Sequence, residues 1–213
     1  MKGTIYLDFD GTLHNTSKIY AKALNKGLKE MASKGWIDFS EVEEDEVKKY
    51  LGCTKKEMWN HFLPNLEEEK KKAGSQWVAQ GLLEELNGPK EYLYPNVLES
   101  LEKIKDLGYT LVFLSNCSIE YMDKVKEKYQ LQVFFTDFLC EGAFPGCSKG
   151  EIITYNKDKY PKGYAMVGDR HHDMEGAKEH SLLPIFCTYG FGEKGEGEGC
   201  ISISSFEEIL DHI

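Results

Sequence analysis

Four short apolar runs stand out along the chain: TIYLDF at 4–9, TLVFLS at 110–115, YAMVG at 164–168 and LPIFCTY at 183–189. None alternates cleanly between apolar and polar residues, which is the pattern of strands buried on both faces of a parallel sheet. Helical periodicity occupies the stretches 95–107, 119–129 and 149–158 that lie among the later runs. This alternation of strand and helix predicts an α/β doubly wound domain.

The interval between the first two runs breaks the rhythm. A strand–helix–strand crossover takes about 30 residues, yet about a hundred separate Phe9 from Leu111. The intervening chain is charge-rich and helix-patterned. AKALNKGLKEMASKG, FSEVEEDEVKKYLG, TKKEMWNHFL and EEEKKKAGSQWVAQGLLEEL each read as amphipathic helix, broken at Gly35, Gly52 and Pro64. The pattern predicts an inserted helical domain over 15–90, with 1–14 and 91–213 forming the α/β domain. Gly88, Pro89 and Pro95 punctuate the return as a hinge. Trp36, Trp59 and Trp77 are expected in the core of the insertion. The charge runs EVEEDE and EEEKKK are expected to be solvated helix faces, and EKGEGEG (193–199) a polar loop with no assigned chemistry.

Composition narrows the function classes. The 213 residues carry 26 Lys and Arg against 36 Asp and Glu, a net charge of −10. That balance argues against a general nucleic-acid binder, which shows a basic face, but leaves room for small phosphorylated substrates in a locally positive pocket. The six cysteines show neither a CxxC pair nor metal-ligand spacing, so they are expected to be reduced, buried small hydrophobes; Cys117, beside Ser115 and Asn116, is set apart. Neither an apolar span of membrane length nor a signal-peptide core is present in the sequence. A cytoplasmic protein, monomeric or a small homo-oligomer and without a membrane partner, is expected.

In open α/β sheets, ligands bind beyond the carboxyl ends of the strands. Asp8 and Asp10 lie at and just past the end of the first run, Ser115 and Asn116 at and just past the end of the second, and Asp169 and Asp173 follow the third in VGDRHHD. Two carboxylates about 4 Å apart repel by about 4 kcal/mol at an effective dielectric of about 20. Grouped acids therefore call for a cation among them. Oxygen-only ligands suit Mg²⁺, whereas zinc would draw on His171 and His172, which lack a metal-binding spacing and read better as loop histidines. In CSKGEII, Ser148 and Glu151 form an S-x-x-E capping box. Lys149 then falls in a first helical turn, where the macrodipole disfavours a cation. Two readings stay open there: a solvated lysine at small cost, or a lysine that shares the helix start with a bound anion.

DFDGTL, LSN, the lysine of SKGEI and GDRHHD, in that order, resemble the four motifs of the haloacid dehalogenase superfamily. The resemblance spans essentially the whole chain, and the helical insertion is similar to that superfamily's C1-type cap. YLYPNVLESLEKIKDLGYTLVFLSN and the GDRxxDxxGAK run resemble its phosphoglycolate phosphatase-like branch. The resemblance implies a Rossmann-like core and a Mg²⁺-dependent phosphatase of a small phosphorylated metabolite, such as phosphoglycolate, a sugar phosphate or a nucleoside monophosphate. It implies Asp8 as the nucleophile that forms an aspartyl-phosphate. Asp10 becomes the group that protonates the leaving oxygen and then activates water; nearby negative charge favours its starting protonated. Ser115 and Lys149 would hold phosphoryl oxygens, with the backbone N–H groups around Phe9, Asp10 and Asn116. Mg²⁺ would be bound by Asp8, Asp169 and the Asp10 backbone carbonyl, with Asp173 in or just behind that shell.

The second acid, Asp10, separates phosphatases from the dehalogenases that resemble this pattern, because a halide leaves without protonation. GCTKK (52–56) resembles the cap's specificity loop, with Lys55 its foremost candidate and Lys56 the second; solvated lysines at a helix start are the alternative. The same four motifs also fit a β-phosphoglucomutase-like phosphomutase. A receiver-type phosphoacceptor domain fits less well, because of the long insertion and the DxD on the first strand.

Overall fold

Strands β1 (Gly3–Leu7) and β2 (Tyr109–Ser115) are buried at every position, as unbroken apolar runs require. The computed structural model describes residues 2–51, 54–193 and 195–213, with the side chains of Lys55 and His61 outside that description. With β3 (Asp137–Cys140), β4 (Gly163–Gly168), β5 (Leu183–Cys187) and β6 (Ile201–Ile203), these strands form a six-stranded sheet among the described residues, in the order β3-β2-β1-β4-β5-β6. Every neighbouring pair runs parallel. The chain divides into two compact units, one built from 1–15 with 93–213 and the other from 16–92.

Both faces of the sheet are covered, which explains the absent alternation. Tyr6, Val112, Leu114 and Met166 pack with Ile152 and Ile153 of α7 (Lys149–Asn156) and Ala177 of α8 (His171–Glu179). Phe113, pointing the other way from Val112 and Leu114, meets the rings of Phe9, Phe135 and Phe138 at 5.4–6.0 Å between centroids. Helices α5 (Val97–Asp106) and α6 (Ile119–Lys128) belong to the same unit. Strands β3 and β6 lie outside the four apolar runs. They are the two edge strands, of four and three residues, and need less apolar sequence than the central ones.

The helical unit holds α1 (Ser17–Ser33), α2 (Glu44–Val47), α3 (Lys55–Phe62) and α4 (Glu68–Leu86). Helices α1 and α4 cross closely enough that a Cβ on Gly81 would stand 2.9 Å from the Ala23 Cα. Trp59 is buried and its indole N–H donates to the Ser75 hydroxyl at 2.6 Å. Trp36 and Trp77 pack on the same core, 5.6 Å apart. The helix expected over FSEVEEDEVKKYLG shrinks to the single turn of α2 and a 3-10 turn at Lys48–Tyr50. Its acids repel one another, and the Asn25 amide captures both backbone groups of Val42, which keeps them out of a helical ladder. The charge run EEEKKK is solvated except at Lys71, which is buried and bonded to Glu68 and Asn60. Among the described residues no helix is long and apolar enough to cross a membrane, and Cys117, Cys140, Cys147, Cys187 and Cys200 are free thiols.

Candidate active site

The parallel sheet brings the carboxyl ends of its strands to one edge. Asp8 follows β1 and its N–H donates to the Val167 carbonyl at 3.0 Å. The chain then turns sharply, the Phe9 carbonyl accepting from the N–H groups of Thr12, Leu13 and His14. Gly11 sits at φ 87°, where a Cβ would fall 2.2 Å from Asp169 Oδ2. Both the left-handed backbone and the lack of space therefore require glycine after Asp10. Ser115 is the buried last residue of β2 and Asn116 the half-buried residue after it. Asp169 follows β4, and Asp173 lies in the first turn of α8, its carboxylate accepting the Arg170 N–H at 3.0 Å. Lys149 opens α7 behind the N-cap Ser148, which forms the expected capping box with Glu151.

These elements converge on a buried ionic cluster. Lys149 Nζ stands 2.6 Å from Asp8 Oδ1 and 2.5 Å from Asp173 Oδ1. Carboxylate oxygens of Asp8, Asp169 and Asp173 lie within 4.8 Å of one another. All four residues are at most 3% exposed. Burial pushes the Asp8 carboxyl up to about 7; Lys149 opposes the shift, and Asp173 and Asp10 add to it. Burial, then the charges of Asp8 and Asp173, push Asp169 well above the carboxylate range. Burial pulls Lys149 downward, but Asp173 and Asp8 outweigh it and hold the ammonium above its ordinary value. Three buried acids share one lysine, and the upward shifts of Asp8 and Asp169 reflect more carboxyl groups than that single cation can hold ionised. That set of oxygen donors fits a hard divalent cation, and it contains no histidine.

Asp10 is more open, its side chain 16% exposed. It accepts a hydrogen bond from the Tyr121 hydroxyl at 2.8 Å. His14 stacks on the Phe9 ring at 5.0 Å, and burial, with Lys128 adding to it, drives its pKa down to about 3, so it is neutral. The Phe9 side chain belongs to the core, which leaves its backbone to serve the site edge. The Cys117 thiol is hydrogen-bonded with Cys140 at the end of β3.

Other residues support the cluster. Thr12 Oγ1 donates to Asp169 Oδ1 at 3.3 Å, and the Phe191 N–H donates to Asp169 Oδ2 at 2.6 Å. The EKGEGEG loop, expected to carry no chemistry, delivers Glu196 to the start of α8. Its Oε2 accepts from Arg170 Nε at 3.1 Å and from the His171 N–H at 2.6 Å, and stands 3.1 Å from His171 Nδ1. Thr12 lies in the recognisable DFDGTL motif, whereas nothing local marks Glu196. In the helical unit, Thr54 caps α3 in a capping box with Glu57, which puts Lys55 and an exposed Lys56 in the first turn. Gly52, Cys53 and the Lys55 side chain, all part of the expected specificity loop, lie outside the described residues.

Residues 5–183 match the family model for haloacid dehalogenase-like hydrolases. A phosphoglycolate phosphatase of Vibrio parahaemolyticus is 23% identical over 98% of this chain and 92% of its own length. One from Aquifex aeolicus is 27% identical over 88% and 85%. Among solved structures, a predicted phosphatase from Clostridium acetobutylicum superimposes with a TM-score of 0.83, at 21% identity over 99% of this chain and 97% of that one. A predicted phosphoglycolate phosphatase from Haemophilus somnus gives 0.83 at 23% identity, covering 98% and 96%. With a match across most of its length, a fold shared with these structures and an acid-and-lysine cluster at the sheet edge, the chain belongs to the haloacid dehalogenase-like hydrolase family.

Proposed function

We propose that this chain is a Mg²⁺-dependent phosphatase that hydrolyses small phosphomonoesters through an aspartyl-phosphate on Asp8. The observation that carries the reading is the buried contact of Lys149 with Asp8 at 2.6 Å, in a cluster with Asp169 and Asp173 and two residues from Asp10. A carboxylate held by an ammonium at the carboxyl edge of a parallel sheet is a nucleophile with a charge partner for an incoming phosphoryl group.

In this mechanism an Asp8 oxygen attacks phosphorus in line with the bond to the leaving oxygen. That bond breaks as Asp10 gives the leaving oxygen its proton. Asp10, now a carboxylate, takes a proton from the water that attacks the aspartyl-phosphate, and inorganic phosphate leaves. Lys149, Ser115 and the backbone N–H groups of Phe9, Asp10 and Asn116 hold the phosphoryl oxygens. Asp8, Asp169 and the Asp10 carbonyl would hold Mg²⁺, with Asp173 beside them; when bound, the ion supplies charge neutralisation and orientation. The helical unit acts as the cap that selects substrate, with Lys55 as a specificity residue.

The relatives from Vibrio parahaemolyticus and Aquifex aeolicus are phosphoglycolate phosphatases. A further neighbour, CbbY of Rhodobacter sphaeroides, superimposes with a TM-score of 0.79 at 17% identity and has been solved with xylulose-1,5-bisphosphate. A small phosphorylated metabolite is accordingly the substrate class. The test is a screen of phosphorylated metabolites with and without Mg²⁺, alongside Asp8→Asn. Turnover that needs Mg²⁺ and vanishes in a folded Asp8→Asn protein is expected; full activity in that variant removes the nucleophile assignment.

A further inference from the structure

Tyr121 occupies the third position of α6, where its N–H donates to the N-cap hydroxyl of Ser118 at 3.3 Å. The loop that leaves Ser115 therefore fixes where this side chain begins. Its ring is 4% exposed and lies edge-on to Phe9, at 71° with centroids 6.4 Å apart. Phe9 sits between the two acids in sequence, so the ring that anchors Tyr121 belongs to the segment carrying Asp8 and Asp10. From that anchored position the phenol donates to Asp10 Oδ1 at 2.8 Å. On the same oxygen, His14 Nδ1 stands at 3.9 Å, and its Nε2 lies 3.1 Å from the Tyr129 hydroxyl.

A carboxyl group rotates in a broad, roughly two-fold torsional well. Proton transfer to a leaving oxygen needs one carboxyl oxygen aimed along a hydrogen bond of about 2.6–3.2 Å. A rigid donor on Oδ1 fixes the plane of the group and decides which oxygen is presented. The tyrosine ring supplies that rigidity, because its two torsions are set by helix position and ring packing.

We infer that Tyr121 is a positioning residue for Asp10, holding Oδ1 so that the carboxyl faces the leaving oxygen of a phosphomonoester. The inference rests on the proton-transfer role proposed for Asp10. Tyr121 itself gains and loses no proton. The proton passes from the Asp10 carboxyl to the leaving oxygen as its bond to phosphorus breaks and the Asp8–phosphorus bond forms.

Leaving groups of different basicity separate this role from a structural one. Nitrophenolate departs without needing a proton, whereas an alkoxide does not. The test measures kcat/KM for Tyr121→Phe over a series of monoesters from p-nitrophenyl phosphate to alkyl phosphates, with Mg²⁺, and with Asp10→Asn as reference. Phenylalanine keeps the ring and its contact with Phe9, and a thermal melt verifies the fold. A loss of about tenfold on alkyl phosphates, against less than about threefold on p-nitrophenyl phosphate, is expected, in the same direction as Asp10→Asn. An equal loss across the series, or none, overturns the inference. If the wild-type protein hydrolyses no member of the series, it is the phosphatase reading that fails; an active wild type with an unchanged leaving-group trend refutes Tyr121 alone.

Discussion

Lys149 reaches Asp8 at 2.6 Å and Asp173 at 2.5 Å, so one ammonium from α7 ties the end of β1 to the first turn of α8. All three partners are buried. Removing the cation while keeping its volume, as in Lys149→Met, leaves buried carboxylates without their counter-charge. A stability loss of about 3–5 kcal/mol in metal-free buffer is expected, read from urea denaturation, with activity lowered by at least about a hundredfold. A variant with the wild-type denaturation midpoint would show that the pair does not hold these elements together.

The buried acids also set the pH dependence of the metal-free protein. Asp8 has a folded-state pKa of about 7, raised by burial above its ordinary value, which is about 4. Between those values the folded chain keeps a proton that the unfolded chain has released, so stability falls as pH rises through the window and levels off above it. Asp169 is shifted in the same direction. Melting temperatures in EDTA should therefore decline from mildly acid to neutral pH, and Mg²⁺ should flatten that decline by binding the ionised native state. A melting temperature that climbs through the same window in EDTA contradicts the assignment.

Glu196 grips the segment after Asp169 through Arg170 and His171. Burial works against its ionisation, but the N–H groups of Glu193 and His171 and the Arg170 guanidinium win and hold its carboxyl below the ordinary value. Glu196→Ala is expected to cost about 1–3 kcal/mol of stability and to weaken Mg²⁺ binding by about tenfold through misplacement of Asp169 and Asp173. Isothermal titration calorimetry of the metal gives the second number. Unchanged affinity would confine Glu196 to a purely local role.

Within the helical unit, the close crossing of α1 and α4 depends on Gly81, which faces Ala23. Gly81→Val must force the helices apart, and a destabilisation of about 1–3 kcal/mol is expected. Chemical denaturation measures it; a neutral outcome would mean that the crossing yields easily.

Sequence and structure part company where contacts replace patterns. Strands β1, β2, β4 and β5 coincide with the four apolar runs, because central parallel strands must be apolar on both faces. The edge strands DFLC and ISI carry no such constraint. Asp8, Asp10, Ser115, Asp169 and Lys149 could be picked out because each lies at or just past the end of a run or opens a helix marked by a capping box. Tyr121 and Glu196 could not. Tyr121 meets Asp10 across 111 residues of sequence, and Glu196 reaches Arg170 from a glycine-rich loop with no periodicity. The one-turn α2 was obscured by an acidic run whose helical pattern is undone by its own repulsion and by Asn25.

Where the insertion begins and ends, His14 bridges Leu93 and the Tyr94 N–H donates to the Leu13 carbonyl at 2.9 Å. The chain thus leaves and rejoins the sheet unit through adjoining segments. To that unit, everything from Thr16 to Tyr92 is a single loop already clamped at its neck. Closure entropy grows only with the logarithm of loop length, about 0.6 kcal/mol per doubling. The sheet is therefore nearly indifferent to how much chain hangs from the clamp, and the seam at Leu13–His14 and Leu93–Tyr94 is a natural graft point for helical inserts of other lengths.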